Sequence, residues 1–172
     1  MKTFLTIFLN IINIISILII CALINEGMIN TTEFTFQTEV NTSPEKIWRI
    51  YTNLNNRFKW ESDLEDIKLN GDFVTGTSGT MKLEGQPEMP FTLISVIPNK
   101  EFLDRTEIPG TGMAICVGHS LTSCGTKTLV KHSMGLEKLD GSITEEDVKF
   151  LSQIFSDTPQ AVLAIKKIAE EP

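Results

Sequence analysis

His119 and His132 are the only two histidines in the chain, and both lie in a stretch of alternating residues that begins shortly before Asp104. An imidazole with a carboxylate in reach is more basic than a lone one and is held in one tautomer, as a general acid or base requires. His119, His132 and Asp104 are therefore the candidates for acid–base chemistry. Two histidines and a carboxylate are also a metal-ligand set, but spacing across three strands has nothing of the specificity of a helical HExxH, and no metal is assigned. Nucleophilic chemistry has less support. Cys116 falls on the opposite strand face, Cys124 sits in a turn with no activating base, and no GxSxG occurs. Gly71, Gly76 and Gly79 read as turns; they form no phosphate-binding GxGxxG, no GKS or GKT is present, and no cofactor is assigned. The plainer reading of the triad is that the histidines are polar residues near a strand end, bonded to backbone or ligand, with Asp104 on a sheet edge.

The elements that would hold these residues are legible in the periodicity. In Met113 to Leu121 the odd positions Met113, Ile115, Val117, His119 and Leu121 are bulky and the even ones small, so the odd face points inward. Tight turns at Pro109-Gly110 and Cys124-Gly125 set the register, bringing Phe102, Asp104 and Thr106 to that face from one neighbour and Thr128, Val130 and His132 from the other. A slip of one residue in either hairpin would dissolve the cluster.

Upstream, Phe34, Phe36, Thr38 and Val40 alternate with polar residues as a half-buried strand does. Ser43-Pro44-Glu45 opens a short helix carrying Ile47, Ile50, Tyr51 and Leu54, and Asn55 to Trp60 forms a second helical turn. The stretch Glu61 to Asp66 is too charged for core. Six short strands follow, Ile67–Leu69, Ser78–Leu83, Phe91–Ile97, Glu101–Ile108, Met113–Leu121 and Thr126–Met134, separated by turn residues and hence an antiparallel meander. Thr144 with Asp147 approximates a capping box, and Val148, Leu151, Phe155, Val162, Ile165 and Ile168 make an amphipathic helix to the end, broken near Asp157-Thr158 by Pro159, with Thr158 a candidate cap of the second segment. This order predicts an α+β domain, a curved antiparallel sheet of about seven strands wrapped around a long C-terminal helix, with two short helices after the first strand and a pocket in the space left over.

The 172 residues allow one domain of this kind, and 22 Asp and Glu against 15 Lys and Arg, with no basic block, exclude a nucleic-acid partner as an expectation. Residues 1–28 stand apart: Phe4 to Ile24 is almost wholly apolar and, at roughly 20 residues, long enough to span a bilayer. Lys2 before it and Glu26, Glu33 and Glu39 after it favour a membrane-anchored or secreted protein with residues 29–172 on the extracytoplasmic side. Cys21-Ala22 is a poor cleavage site, which favours an uncleaved anchor. If Met28 is the true start, the domain is cytoplasmic. Cys116 and Cys124 are separated by roughly 25 Å at strand rise, too far for a disulfide.

Several local patterns resemble the START-like superfamily, also called SRPBCC, which includes polyketide cyclase and dehydrase proteins. They are Thr42-Ser43-Pro44-Glu45-Lys46-Ile47-Trp48, Trp60, Gly76-Thr77 with Gly79, Pro98-Asn99-Lys100-Glu101-Phe102, Gly125-Thr126, and Ile165 to Glu170. The resemblance implies a helix-grip fold and a hydrophobic cavity for a lipid or other apolar small molecule. The expected cavity residues are Trp60, Phe91, Phe102, Met113, Ile115, Val117, His119, Val130 and His132. It implies no shared catalytic motif. The expected function is non-enzymatic binding of such a ligand. Two alternatives stay open: an enzyme of the cyclase, dehydrase or hydrolase kind using the histidines with Asp104, and a membrane-tethered protein-interaction domain whose interior is filled by side chains.

Overall fold

The first alternating stretch becomes strand β1 (Asn30–Val40), the outermost strand of a seven-stranded sheet. The computed structural model describes residues 30–139 and 141–171; the apolar tract and its reading as an anchor lie outside them. Among the described residues no helix is long and apolar enough to cross a membrane. After β1 come helix α1 (Pro44–Thr52), a 3-10 helix (Leu54–Lys59), and strands β2 (Leu64–Leu69), β3 (Ser78–Leu83), β4 (Met89–Ile97), β5 (Glu101–Ile108), β6 (Met113–Cys124) and β7 (Lys127–Lys138). Helices α2 (Glu145–Ile154) and α3 (Thr158–Glu170) close the chain. The sheet order is β1-β7-β6-β5-β4-β3-β2, antiparallel throughout. The first strand thus closes against the last, as a meander allows when the chain returns past α1.

Local chemistry explains the departures from the expected boundaries. β2 starts at Leu64 rather than Ile67, because an edge strand paired only with β3 can turn Glu65 and Asp66 to solvent. The hairpin between β6 and β7 is tight as expected, but β6 runs on past Leu121, with Cys124 opposite Lys127 and Gly125 at φ 68°, which a two-residue hairpin loop needs at its first position. Gly79 is not a turn residue. It lies within β3, where a Cβ would sit 2.1 Å from the Lys68 carbonyl oxygen and 2.9 Å from the Phe91 ring. A register shift between Leu93 and Ser95 marks a bulge that bends β4 and curves the sheet.

The concave face holds the core. Val40, Ile47, Phe91, Leu93, Phe102, Leu121 and Val130 meet Val162, Ile165 and Ala169 of α3. The Thr144–Asp147 capping box forms as expected, with the Thr144 hydroxyl accepting from the Asp147 amide and the Asp147 carboxylate accepting from the Thr144 amide. That carboxylate also pairs with Lys138, so β7 and the start of α2 are tied together. The C-terminal helix breaks where Pro159 requires it, between Ile154 and Thr158. Thr158 does not cap the second segment; it is the first residue of α3, and its hydroxyl lies 3.6 Å from Met134 Sδ as donor.

Candidate functional site

The two hairpins carry the expected register. His119 lies opposite Phe102 on one side and His132 on the other, while Asp104 lies opposite Val117. All three polar residues face the concave side and are buried. Asp104 is not on a sheet edge, since β5 is paired on both flanks by β4 and β6. Sharing a face does not make a catalytic pair. Asp104 is diagonal to His119 across the strand pair, a separation of about 7–8 Å between backbones, and no hydrogen bond joins them. The carboxylate–histidine pair that the sequence left open as an acid–base candidate is therefore not joined by a hydrogen bond.

Aromatic neighbours take its place. The His119 ring stacks on Phe102 at 4.0 Å and 9°, and meets His132 edge-on at 4.4 Å. Tyr51, fully buried on α1, places its hydroxyl 2.9 Å from His132 Nε2. Trp60 packs against Tyr51 at 5.6 Å and against each histidine at 6.0 Å. Arg57, buried on the 3-10 helix, pairs with Glu61 and lies with its guanidinium 5.1 Å from the Trp60 ring centroid.

Burial dominates the electrostatics. It pushes His132 down to about 3, with the Arg57 charge adding to the effect. Burial also holds His119 well below the ordinary imidazole range, followed by the effects of His132 and Arg57. Both rings are thus neutral at pH 7. Burial raises Asp104 to about 7 even though Arg57 draws it back, and it raises the Tyr51 hydroxyl. Cys116 lies on the outer face against Glu137 at 3.3 Å, its thiol pushed up to about 12 by burial and then by that carboxylate, and is no nucleophile. Cys116 and Cys124 are unpaired thiols.

A pocket of about 60 Å³ opens beside this cluster. Val117, His119, His132 and Met134 line it from the sheet, Trp60, Glu61 and Asp63 from the loop before β2, and Ile154, Phe155, Asp157, Thr158 and Ala161 from the junction of α2 and α3. Of the residues expected to line a cavity, Trp60, Val117, His119 and His132 do so. Phe91, Phe102 and Val130 are instead fixed in the core, and Met113 and Ile115 lie further along β6, part-buried. The pocket is far smaller than the several hundred Å³ typical of a drug-sized ligand and holds only a few waters. Two buried atoms of its lining residues have no hydrogen-bond partner, Trp60 Nε1 and His119 Nδ1, and a third orphan, Asp104 Oδ2, lies in the sheet nearby. Among the described residues no group of three His, Cys, Asp or Glu side chains comes together as a metal site.

Three participants are absent from the sequence reading of the site. Tyr51 reads as an apolar helix position, yet it is the only tyrosine in the chain, and a buried tyrosine hydroxyl demands a partner. Arg57 gives no signal. Neither does the gathering of Glu61, Asp63 and Asp157, which come from two distant parts of the chain.

The fold is a helix-grip one, a curved seven-stranded antiparallel sheet closed by a C-terminal helix, as the resemblance in the sequence implied. Among solved structures it is similar to norcoclaurine synthase from Thalictrum flavum, with TM-score 0.62, 20% identity, and coverage of 87% of this chain and 92% of that one. It is likewise similar to the Aha1 dimer from Colwellia psychrerythraea (TM-score 0.60, 19% identity, 81% and 96% covered) and to CalU16 from Micromonospora echinospora (0.58, 16%, 81% and 75%). Identities this low establish the fold alone. No protein-family model and no curated protein matches the chain.

Proposed function

We propose that the chain binds a small, largely apolar molecule in the pocket between β6–β7 and the α2–α3 junction. The observation that carries this reading is the pair of unpartnered buried atoms, Trp60 Nε1 and His119 Nδ1, on residues lining a pocket that also presents Val117, Met134, Ile154 and Ala161. A buried polar group without a partner costs about 1–3 kcal/mol, and a ligand whose polar group reaches either atom once the wall has moved would relieve that cost. A molecule larger than a few waters needs the wall to move. Helix α2 is the wall best suited to moving, since Leu151 is its only buried residue.

Native mass spectrometry with organic extraction of the full-length chain from its own host tests the reading, alongside an NMR titration with benzyl alcohol. The expected results are a stoichiometric apolar ligand, and shifts of the Trp60 indole N–H and the His119 ring. An empty protein whose indole and imidazole signals do not respond would overturn it.

The small pocket volume favours a second reading, a protein-interaction domain whose interior is filled by side chains. It predicts no ligand in either experiment. An enzyme using His119 or His132 with Asp104 is left without a hydrogen bond between carboxylate and imidazole; turnover of the extracted ligand would revive it. The tract Phe4 to Ile24 is proposed to tether the domain to a membrane on its extracytoplasmic side. Release of the protein by alkaline carbonate would count against the tether, and protection of residues 29–172 from added protease in intact cells would count against the orientation.

A further inference from the structure

The two edges of the sheet differ in how they are guarded. β2, at one end, is six residues long, breaks register between Leu64 and Asp66, and carries Glu65, Asp66 and Lys68 in ion pairs. A short, bulged and charged edge resists pairing with another strand. β1, at the other end, runs eleven residues with no shift in its register against β7. It holds no proline, glycine, lysine or arginine, and its centre, Phe34-Thr35-Phe36, is made of strong strand formers.

Which backbone groups of β1 are open follows from the neighbouring hairpin. Cys124 and Lys127 flank a two-residue loop and so exchange both their bonds; alternation along the unbroken register then turns the odd residues of β7 to β6 and the even ones to β1. The Leu139 amide on the Gly112 carbonyl, at 3.0 Å, continues that pattern. Even residues of β7 lie opposite even residues of β1, from Val40 on Thr128 to Asn30 on Lys138. The odd residues of β1 therefore aim their N–H and C=O groups away from the sheet. Two contacts agree, for the Glu39 carbonyl accepts from Lys166 Nζ and the Asn41 amide donates to Glu170, both at 2.7 Å. α3 thus closes the Val40 end of the edge. The outward groups of Glu33, Thr35 and Gln37 meet no such partner among the described residues, and all three side chains are exposed.

We propose that β1 pairs antiparallel with β1 of a second copy of this chain, about a two-fold axis at Thr35. In that register Thr35 meets Thr35, Glu33 meets Gln37 and Phe34 meets Phe36, so the open groups of Glu33, Thr35 and Gln37 are all satisfied, in about six hydrogen bonds. An aromatic pair forms on each side of the axis, and no carboxylate lies opposite another. Moving the axis to Phe36 sets Glu33 against Glu39, whose carbonyl Lys166 already occupies. Moving it to Phe34 leaves a single aromatic pair. A strand complementary to itself in this way makes an isologous interface and favours a second copy over an unrelated strand. The pairing does not depend on a ligand in the pocket.

The test uses the full-length chain in mild detergent, with Cys21→Ser, Cys116→Ser and Cys124→Ser so that an introduced thiol is the only one. Residues paired on the axis have Cα atoms about 5.5 Å apart, within disulfide range, so Thr35→Cys is expected to give a disulfide-linked dimer on mild oxidation. Gln37→Cys alone sets its two thiols about 13 Å apart along the strands and is expected to give about fivefold less dimer or none. Adding Glu33→Cys to Gln37→Cys should restore the dimer. With the natural cysteines in place, the amides of Glu33, Thr35 and Gln37 should be protected from hydrogen exchange at high concentration. That protection should be lost on dilution, and in Thr35→Lys, which sets like charges on the axis. The Phe34 and Phe36 amides, turned to β7, should stay protected throughout and report an intact fold. Equal dimer yields from Thr35→Cys and Gln37→Cys would overturn the pairing, as would fast exchange of the three outward amides at every concentration. Protection of those amides with no Thr35→Cys dimer would overturn it too, since another segment or another partner would then cover the edge.

Discussion

The two halves of the C-terminal helix meet the same sheet on different terms. α3 buries Thr158, Val162, Ile165 and Ala169 and is pinned at its end, where Glu170 accepts from the Asn41 amide and Lys46 donates to the Glu171 carbonyl. α2 buries only Leu151 and leaves Val148, Phe150 and Ile154 between 37% and 40% exposed. Its ties are at its start, the capping box and the Lys138–Asp147 pair. One half is part of the core and the other rests on it, with the pocket under the joint. In a fold expected to grip its helix along the whole length, the grip is confined to α3, and the loosely held half is the one a ligand has to displace.

Truncating one anchor in each half gives the largest expected contrast. Ile165→Ala removes a fully buried side chain from α3 and should lower global stability by about 2–5 kcal/mol. Leu151 is equally buried, but Leu151→Ala should cost the whole protein less, because α2 can detach while the sheet and α3 stay folded. Urea unfolding gives the global values and amide hydrogen exchange the local ones. Equal losses from the two substitutions, or equal protection of α2 and α3 in the native protein, would erase the distinction.

Acid probes the buried polar groups beside the pocket. His132 has its ordinary value of 6.5 when unfolded and about 3 when folded, so its contribution is present above pH 6.5 and is lost as pH falls through about 3. His119 acts in the same direction. Asp104 opposes them: its folded value of about 7 lies above the unfolded 3.8, so its contribution is present below pH 3.8 and is lost as pH rises through about 7. Between pH 6.5 and about 4, two groups weaken the fold on acidification and one resists, a net change of about 1.4 kcal/mol per pH unit. Asp104→Asn removes the resisting group and should about double that slope in urea midpoints measured across the window. A shallower slope would mean that the histidines do not stay neutral in the folded protein.

What the sequence discloses follows from how locally each feature is determined. The inward face of β5, β6 and β7 is legible because short turns fix the register and alternation fixes the face. The break before Thr158 is legible because proline cannot continue a helix, and the start of α2 because the Thr144–Asp147 box spans one turn. The site is legible only to the level of the face. Whether His119 turns to Asp104 or stacks on Phe102 is decided by packing against α1 and Trp60, through contacts such as Tyr51 with His132, 81 positions apart. The pocket volume depends on how far those rings fill the concave side, and the acidic mouth on where the helix junction lands against the loop before β2. None of these leaves a periodic trace in one chain.

Tyr51→Phe tests the hydrogen bond behind the pocket separately from the pocket itself. It keeps the ring against Trp60 and Phe102 but removes the hydroxyl from His132 Nε2, 2.9 Å away. With that nitrogen left buried and unpartnered, stability should fall by about 1–3 kcal/mol, while the response of Trp60 Nε1 to benzyl alcohol should persist, since Tyr51 does not line the pocket. The smallest effect is expected on the loose helix itself. Phe150 is exposed on α2 and is not among the pocket residues, so Phe150→Ser should change stability by no more than about 0.5 kcal/mol. A loss well beyond that in urea unfolding would mean that α2 is held by more than Leu151 and its capping box, and the contrast between the two halves of the helix would narrow accordingly.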